Sequence, residues 1–299
     1  MKLATYSANG WTRIGVVVDD QIIDLSVAAP QLPVDMVGLL SAGEEALDTV
    51  RRTAVTCSTR VLLSDIRLEA PILRPPKFLV IGLNYMDHID EVGKARPEFP
   101  RFVNKQSTCV VGPFDRIQLP NESDEIDYEG ELGVVIGRRC RRVSQANAPR
   151  VIAGYVVGND VSARDWQRRS DTITLGKSFD THGPLGPWIV TPDEVGNPHD
   201  LDLKTWVNGE LRQNSNTRNQ IYDCYAQIEI LSTVFTLEPG DVILTGTPSG
   251  VGVSSKPPRF LRAGDTVRVE IERIGAIENP VVAEPTPSAT TWNPEAEAT

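Results

Sequence analysis

The chain has 299 residues, 40% hydrophobic and 23% charged, and 30 Lys and Arg against 40 Asp and Glu leave a net charge of −10. That balance argues against a general nucleic-acid binder, which needs a basic footprint to displace counterions. No stretch approaches the roughly 20 apolar residues of a membrane span, and the length suffices for a core that needs no disulfide.

The N-terminus, MKLATYSANGWTRIGVVV, shows no apolar stretch before a small-residue cleavage site, so a cytoplasmic protein is expected. Residues 1–70 read as a small N-terminal α+β domain, with strand-like IGVVVDD and QIIDLS followed by a helix-like EEALDTVRRTAV. The proline-rich LEAPILRPPKFLVIG reads as a linker entering a buried strand, FLVIG. From there to about residue 280 apolar runs bounded by Gly, Pro, Asn and Asp follow one another: IQLP, LGVVIG, VIAGYVVGND, PWIVT, LKTWVNG, DVILTG and DTVRVEIERIG. One helical stretch interrupts them, IYDCYAQIEILSTVF, with apolar positions at three- and four-residue spacing. Residues 281–299, rich in Pro, Thr, Ala and Glu, read as a disordered tail. The expected class is therefore α+β and β-rich, with a 71–280 body closer to a closed or folded-over sheet than to a Rossmann unit. Cys57, Cys109, Cys140 and Cys224 are scattered without a C-x-x-C pair, four separate thiols suited to a reducing compartment.

Chemistry concentrates in a few stretches. In DYEGELGVVIG, Asp127, Glu129 and Glu131 recur at every second position, which in a strand places them on one face. Such carboxylates repel one another unless solvent or a cation separates them. A solvated edge is one reading; the apolar run Leu132 to Ile136 favours the other, a cation at the rim of a core. Ligands that are all oxygen point to Mg²⁺ or Mn²⁺, with Ca²⁺ as an alternative. Asp160, ending the run VIAGYVVGND, is a candidate third carboxylate, although spacing alone does not bring the two strand ends together. SARDWQ follows with Arg164, Asp165 and Gln167.

In NYMDHIDE, one helical turn would set His88 and Glu91 on one face, and a carboxylate beside an imidazole fixes its tautomer and raises its basicity. The alternative is a solvated helix. Lys105 and Lys177 are further basic candidates. TGTPSGVG lacks the G-K-[ST] ending of a nucleotide loop, but its amides and the hydroxyls of Thr245 and Thr247 could hold a carboxylate. The basic cluster GRRCRR, with Arg138, Arg139, Arg141 and Arg142, reads as a solvated turn or a phosphate patch.

Five segments, GLNYMDHIDE, DYEGELGVVIG, GYVVGNDVSARDWQ, GKSFDTHGPLGPW and LEPGDVILTGTPSGVG, make residues 72 to 280 resemble the fumarylacetoacetate hydrolase family, in the family's order. The leading segment is similar to the N-terminal domain of many bacterial members. The resemblance implies a mixed β-roll and a homodimer. It also implies a metal site at Glu129, Glu131 and Asp160 with Asp127 as a neighbour, a lid pair at His88 and Glu91, an active-site lysine at Lys177, and substrate contacts at Arg164, Gln167 and Thr247. Gly130 departs from the family, where bulkier apolar residues are common; it should alter packing rather than chemistry. The implied activity is a divalent-metal-dependent C–C bond hydrolase acting through an enolate on an anionic 2,4-dioxo acid. This would place the chain in the acylpyruvate hydrolase or 2-hydroxyhepta-2,4-diene-1,7-dioate isomerase branch. A decarboxylase of oxo-diacids or an isomerase of aromatic ring-cleavage products would use the same groups. A metal-stabilised binding protein is the non-enzymatic alternative, with metal-dependent melting but no turnover.

Overall fold

The computed structural model describes residues 1–285. Its centre is built from the two most continuous apolar runs. Gly130–Ile136 is buried along its whole length, as is Ile152–Asn159, and the two pair antiparallel with Leu132 opposite Val157 and Val134 opposite Tyr155. Leu132, Val134 and Ile136 enter one core while Val135 enters a second on the opposite face. Burial on both faces is why these strands read as unbroken apolar runs rather than as alternation.

The sheet around them has the hydrogen-bonded order Val61–Leu62, Gln21–Asp24, Trp11–Val18, Lys2–Ala8, Gly183–Val190, Ile152–Asn159, Gly130–Ile136, Val242–Leu244, Phe78–Gly82, Arg101–Lys105. Within this order the one parallel pair is Val242–Leu244 beside Phe78–Gly82. A second sheet, Glu210–Asn216, Asp202–Val207, Thr266–Ile271, Gly275–Ala283 and Ile117–Leu119, packs over the central strands and closes the first core. Helices Met36–Ser41 and Glu44–Thr56 help to close the second. The result is the α+β, sheet-rich class expected.

Two expected boundaries shift. The N-terminal strands continue the main sheet, because Lys2–Ala8 pairs with Gly183–Val190, with Leu3 opposite Ile189. The proline-rich segment packs against them: Ile72 is buried, and the Thr5 hydroxyl donates to the Pro71 carbonyl at 2.8 Å. At the other end Gly275–Ala283 pairs with Thr266–Ile271 and with Ile117–Leu119. Regular structure thus extends three residues into the stretch expected to be disordered; the remainder of that expectation, 286–299, lies outside the described residues.

Helix Cys224–Val234 is closed at both ends. Asp223 accepts from the amides of Tyr225 and Ala226 at 3.0 and 2.8 Å. The Arg141 guanidinium donates to the carbonyls of Ser232, Thr233 and Val234 at 2.6, 2.5 and 3.1 Å. Arg138 pairs with Glu44 and Arg139 with Glu238 in the open, so the basic cluster is largely engaged in local structure. All four cysteines are free. Among the described residues no helix is long and apolar enough to cross a membrane.

Candidate metal centre and active site

The run of acidic residues is not one strand. Ile126–Asp127 pairs with Ser162–Ala163, and the long strand begins only at Gly130. The alternation that would carry Asp127 along with the two glutamates is interrupted at Tyr128 and Glu129. Asp127 is instead saturated by donors: its Oδ1 accepts from the amides of Tyr128 and Gly252, and its Oδ2 from the Val253 amide and the Arg164 guanidinium, all at 2.7–2.9 Å. It neighbours the cluster without joining it.

Glu129 and Glu131 do converge, and Asp160 meets them. The antiparallel register sets Gly130 opposite Asn159, and the Asp160 amide donates to the Glu129 carbonyl at 2.8 Å. One oxygen of each carboxylate lies within 4.8 Å of the others, and all three residues are at most 5% exposed. Buried amides brace the turn: Asn159 Oδ1 accepts from the Glu129 amide at 3.0 Å, and Gln213 Oε1 from the Gly130 amide at 2.9 Å. Gln213 also donates to Thr247 Oγ1 at 2.8 Å. A Cβ at Gly130 would stand 2.3 Å from Thr205 Oγ1, so the missing side chain lets the second sheet close against this turn. Gly130 therefore bears on packing, on the side away from the carboxylates.

Three buried cations answer this charge unevenly. Lys177 Nζ bridges Glu129 and Asp160, Lys105 Nζ sits 2.7 Å from Asp160 Oδ1, and Arg164 reaches Glu129 Oε1 at 2.8 Å. Burial alone would push the Glu129 pKa up, but Arg164 and Lys177 outweigh it and hold the group well below the usual carboxylate range. Burial works against the charge of Lys177 too, yet Asp160 and Glu129 raise its pKa. Glu131 goes the other way: burial, then Asp160 and Glu129, push it well above its ordinary value. Its carboxylate receives the Gly246 amide at 2.6 Å, but no salt bridge among the described residues. Three buried hard oxygen donors, one lacking a cationic partner, fit a divalent cation of the Mg²⁺ or Mn²⁺ type.

Helix Met86–Val92 brings the histidine to the same place. His88 Nδ1 lies 3.0 Å from Glu91 Oε2, and Glu91 Oε1 accepts from the Gly250 amide at 2.9 Å. Asp87 ties the helix to the second sheet by accepting from the Ser215 hydroxyl at 2.6 Å. His88, Glu129, Glu131, Arg164, Gln167, Lys177 and Thr247 all line one cavity of about 360 Å³. Glu91 and Asp160 reach it through His88 and Lys177. Arg164 is committed to Asp127, Glu129 and Gln167, which makes it an organiser of the carboxylates more than a free anion receptor. Lys105, a basic candidate without a role on sequence grounds, pairs with Asp160, and Gln213 adds a brace that no motif indicates. Gln213 is fully buried in Glu210–Asn216, and nothing in its local sequence marks it, because its contact with Gly130 is set by sheet packing 83 residues away.

Residues 77–282 match the profile of the fumarylacetoacetate (FAA) hydrolase C-terminal family. A Xenopus laevis protein named oxaloacetate tautomerase fahd2, mitochondrial, is 47% identical over 275 residues, covering 90% of this chain and 86% of the relative. A fumarylacetoacetate hydrolase domain-containing protein 2 homolog of Dictyostelium discoideum is 41% identical, covering 94% and 97%. Among solved structures, 5-carboxymethyl-2-hydroxymuconate delta-isomerase from Mycobacterium smegmatis superposes with a TM-score of 0.77 at 37% identity, covering 96% of this chain and 100% of that one. Maleylpyruvate hydrolase from Sphingobium sp. SYK-6, in complex with manganese (II) ion and pyruvate, gives 0.79 at 33% identity, covering 95% and 100%.

Proposed function

The chain belongs to the fumarylacetoacetate hydrolase family, and from that footing we propose that it moves a proton at the carbon beside the 2-oxo group of an anionic oxo acid, as a keto–enol tautomerase of oxaloacetate-like substrates. The observation that carries this reading is the His88–Glu91 pair, 3.0 Å apart, lining the same cavity as Glu129 and Glu131. With Nδ1 held by Glu91, Nε2 of His88 is the atom left to accept a proton, and Glu91 stabilises the imidazolium that results. Lys177, kept charged by Glu129 and Asp160, supplies a hydrogen-bond donor to an oxygen gaining negative charge. Thr247 and Gln167 offer polar contacts to the substrate. A divalent cation held by Glu129, Glu131 and Asp160 would act there as a Lewis acid on the oxo acid. The names of the relatives at 43–47% identity that are tautomerases support this choice within the family.

C–C bond hydrolysis of an acylpyruvate is the second reading, favoured by the same pair's capacity to activate water and by the likeness to maleylpyruvate hydrolase. The two separate in one experiment. Enol-to-keto conversion of oxaloacetate and cleavage of acetylpyruvate and fumarylpyruvate would be followed with Mg²⁺ or Mn²⁺ and with excess EDTA, for wild type and His88→Ala. The expected outcome is metal-dependent tautomerisation that falls by on the order of 10²–10⁴ in His88→Ala. Cleavage without tautomerisation moves the assignment to hydrolase. Metal-dependent melting with no turnover leaves a binding protein.

A further inference from the structure

The cavity wall formed by Arg101–Lys105 has a polarity that the chemistry above does not use. Alternation puts Arg101, Val103 and Lys105 on one face. Along that face burial increases from exposed Arg101 to buried Lys105, which ends on Asp160. At roughly 3.3 Å per residue the α-carbons of Arg101 and Lys105 stand about 13 Å apart. Arg101 and Val103 both line the cavity, so this wall is cationic at the mouth and apolar further in, while Lys105 behind it is spent on Asp160. The adjacent strand sets Gly82 directly opposite Arg101. A Cβ at Gly82 would meet nothing within 4 Å, so the backbone opposite Arg101 borders open space. Lys94, just beyond helix Met86–Val92, lines the same cavity.

These cations are free in a way the inner ones are not. Arg164 and Lys177 are matched by Asp127, Glu129 and Asp160, and Arg168 at the rim is engaged by Glu125 at 2.7 Å. Among the described residues no salt bridge within 4.0 Å reaches Lys94 or Arg101. A second anionic group on a substrate whose oxo-acid end lies at the carboxylates therefore finds uncommitted positive charge only at the mouth. We propose that Arg101, with Lys94, binds a distal carboxylate and makes the site selective for 2-oxo dicarboxylates over 2-oxo monocarboxylates. This rests on the oxo-acid reading of the site.

Oxaloacetate and its C4 methyl ester differ at that carboxylate alone. Wild type is expected to favour the diacid in kcat/KM by roughly 10–100-fold, the range for a charged hydrogen bond. Arg101→Ala should bring the ratio to within about threefold, mainly through the diacid's KM, and Arg101→Lys should restore part of it. Arg101 is exposed and holds no salt-bridge partner among the described residues, so the variant has no evident reason to misfold. An unchanged ratio in Arg101→Ala overturns the proposal and leaves the proton-transfer reading standing. Turnover of neither compound by wild type removes that reading instead. Calorimetric titration with 2-oxoglutarate and 2-oxopentanoate then decides the proposal: tighter diacid binding that is lost in Arg101→Ala supports it, and equal binding overturns it.

Discussion

Glu131 is the residue whose state should most strongly mark whether a cation is bound. Glu129 holds Arg164 and Lys177 and Asp160 holds two lysines, whereas Glu131 holds a backbone amide. Burial and its two acidic neighbours raise its pKa well above the ordinary 4.5. A carboxyl with a raised folded-state pKa binds its proton more tightly in the folded protein than in the unfolded one. Its stabilising contribution is fully present below the unfolded value and is lost as pH rises through the folded pKa. In EDTA, therefore, the melting temperature of wild type should decline relative to Glu131→Gln as pH rises above about 4.5. Mg²⁺ or Mn²⁺ should restore it at the upper end, where the ionised carboxylate has a cation to bind. At a hundredfold excess over Kd the gain would be about 2.7 kcal/mol. Melting scans across that range, with and without EDTA, measure both effects; parallel EDTA profiles for wild type and Glu131→Gln would sink the argument.

At the scale of elements, the helix Cys224–Val234 depends on a residue far outside it. The last carbonyls of a helix lack partners within it, and here three of them are met by Arg141. Arg141→Ala should cost about 1–2 kcal/mol in chemical denaturation, combining lost hydrogen bonds with lost charge at the negative helix end. Turnover should persist, because Arg141 lies outside the active-site cavity; a variant as stable as wild type would show water serving equally well. This contact also marks where the sequence stops being readable. FLVIG, the helix over Glu44–Thr56 and the pairs E-x-E and H-x-x-E are visible because their logic is local, an unbroken apolar run or a period of two or of three to four residues. The Lys105–Asp160 contact spans 55 residues and the Gln213–Gly130 contact 83, and both follow from sheet register. Nor does any residue near Tyr128 announce the interruption that separates Asp127 from the two glutamates. The GRRCRR cluster could be read as a solvated turn or an anion site, but not as the cap of a helix some 90 residues later.

For the molecule as a whole, the question is whether the first seventy residues are a companion or part of the fold. Their strand-like and helix-like runs read as a small domain, yet Lys2–Ala8 lies inside the strand order, between Trp11–Val18 and Gly183–Val190. Leu3, Ile14, Val16, Ile23, Leu39 and Leu40 share a single core with Val135, Val156, Leu185 and Ile189 of the main body. Removing residues 1–70 would bare the edge of Gly183–Val190, an unpaired template for aggregation. It would also uncover four side chains whose burial is worth roughly 1.5–3 kcal/mol each, comparable in sum with the 5–15 kcal/mol that holds a typical domain folded. A fragment starting at residue 71 is therefore expected to express insolubly, or to melt without a cooperative transition. Its carboxylate cluster should be affected as well, since Asp160 follows Ile152–Asn159, the strand hydrogen-bonded to the exposed one. A soluble fragment with cooperative, Mg²⁺-dependent melting would instead make the N-terminal segment separable, and the continuity of the sheet a matter of docking rather than of folding.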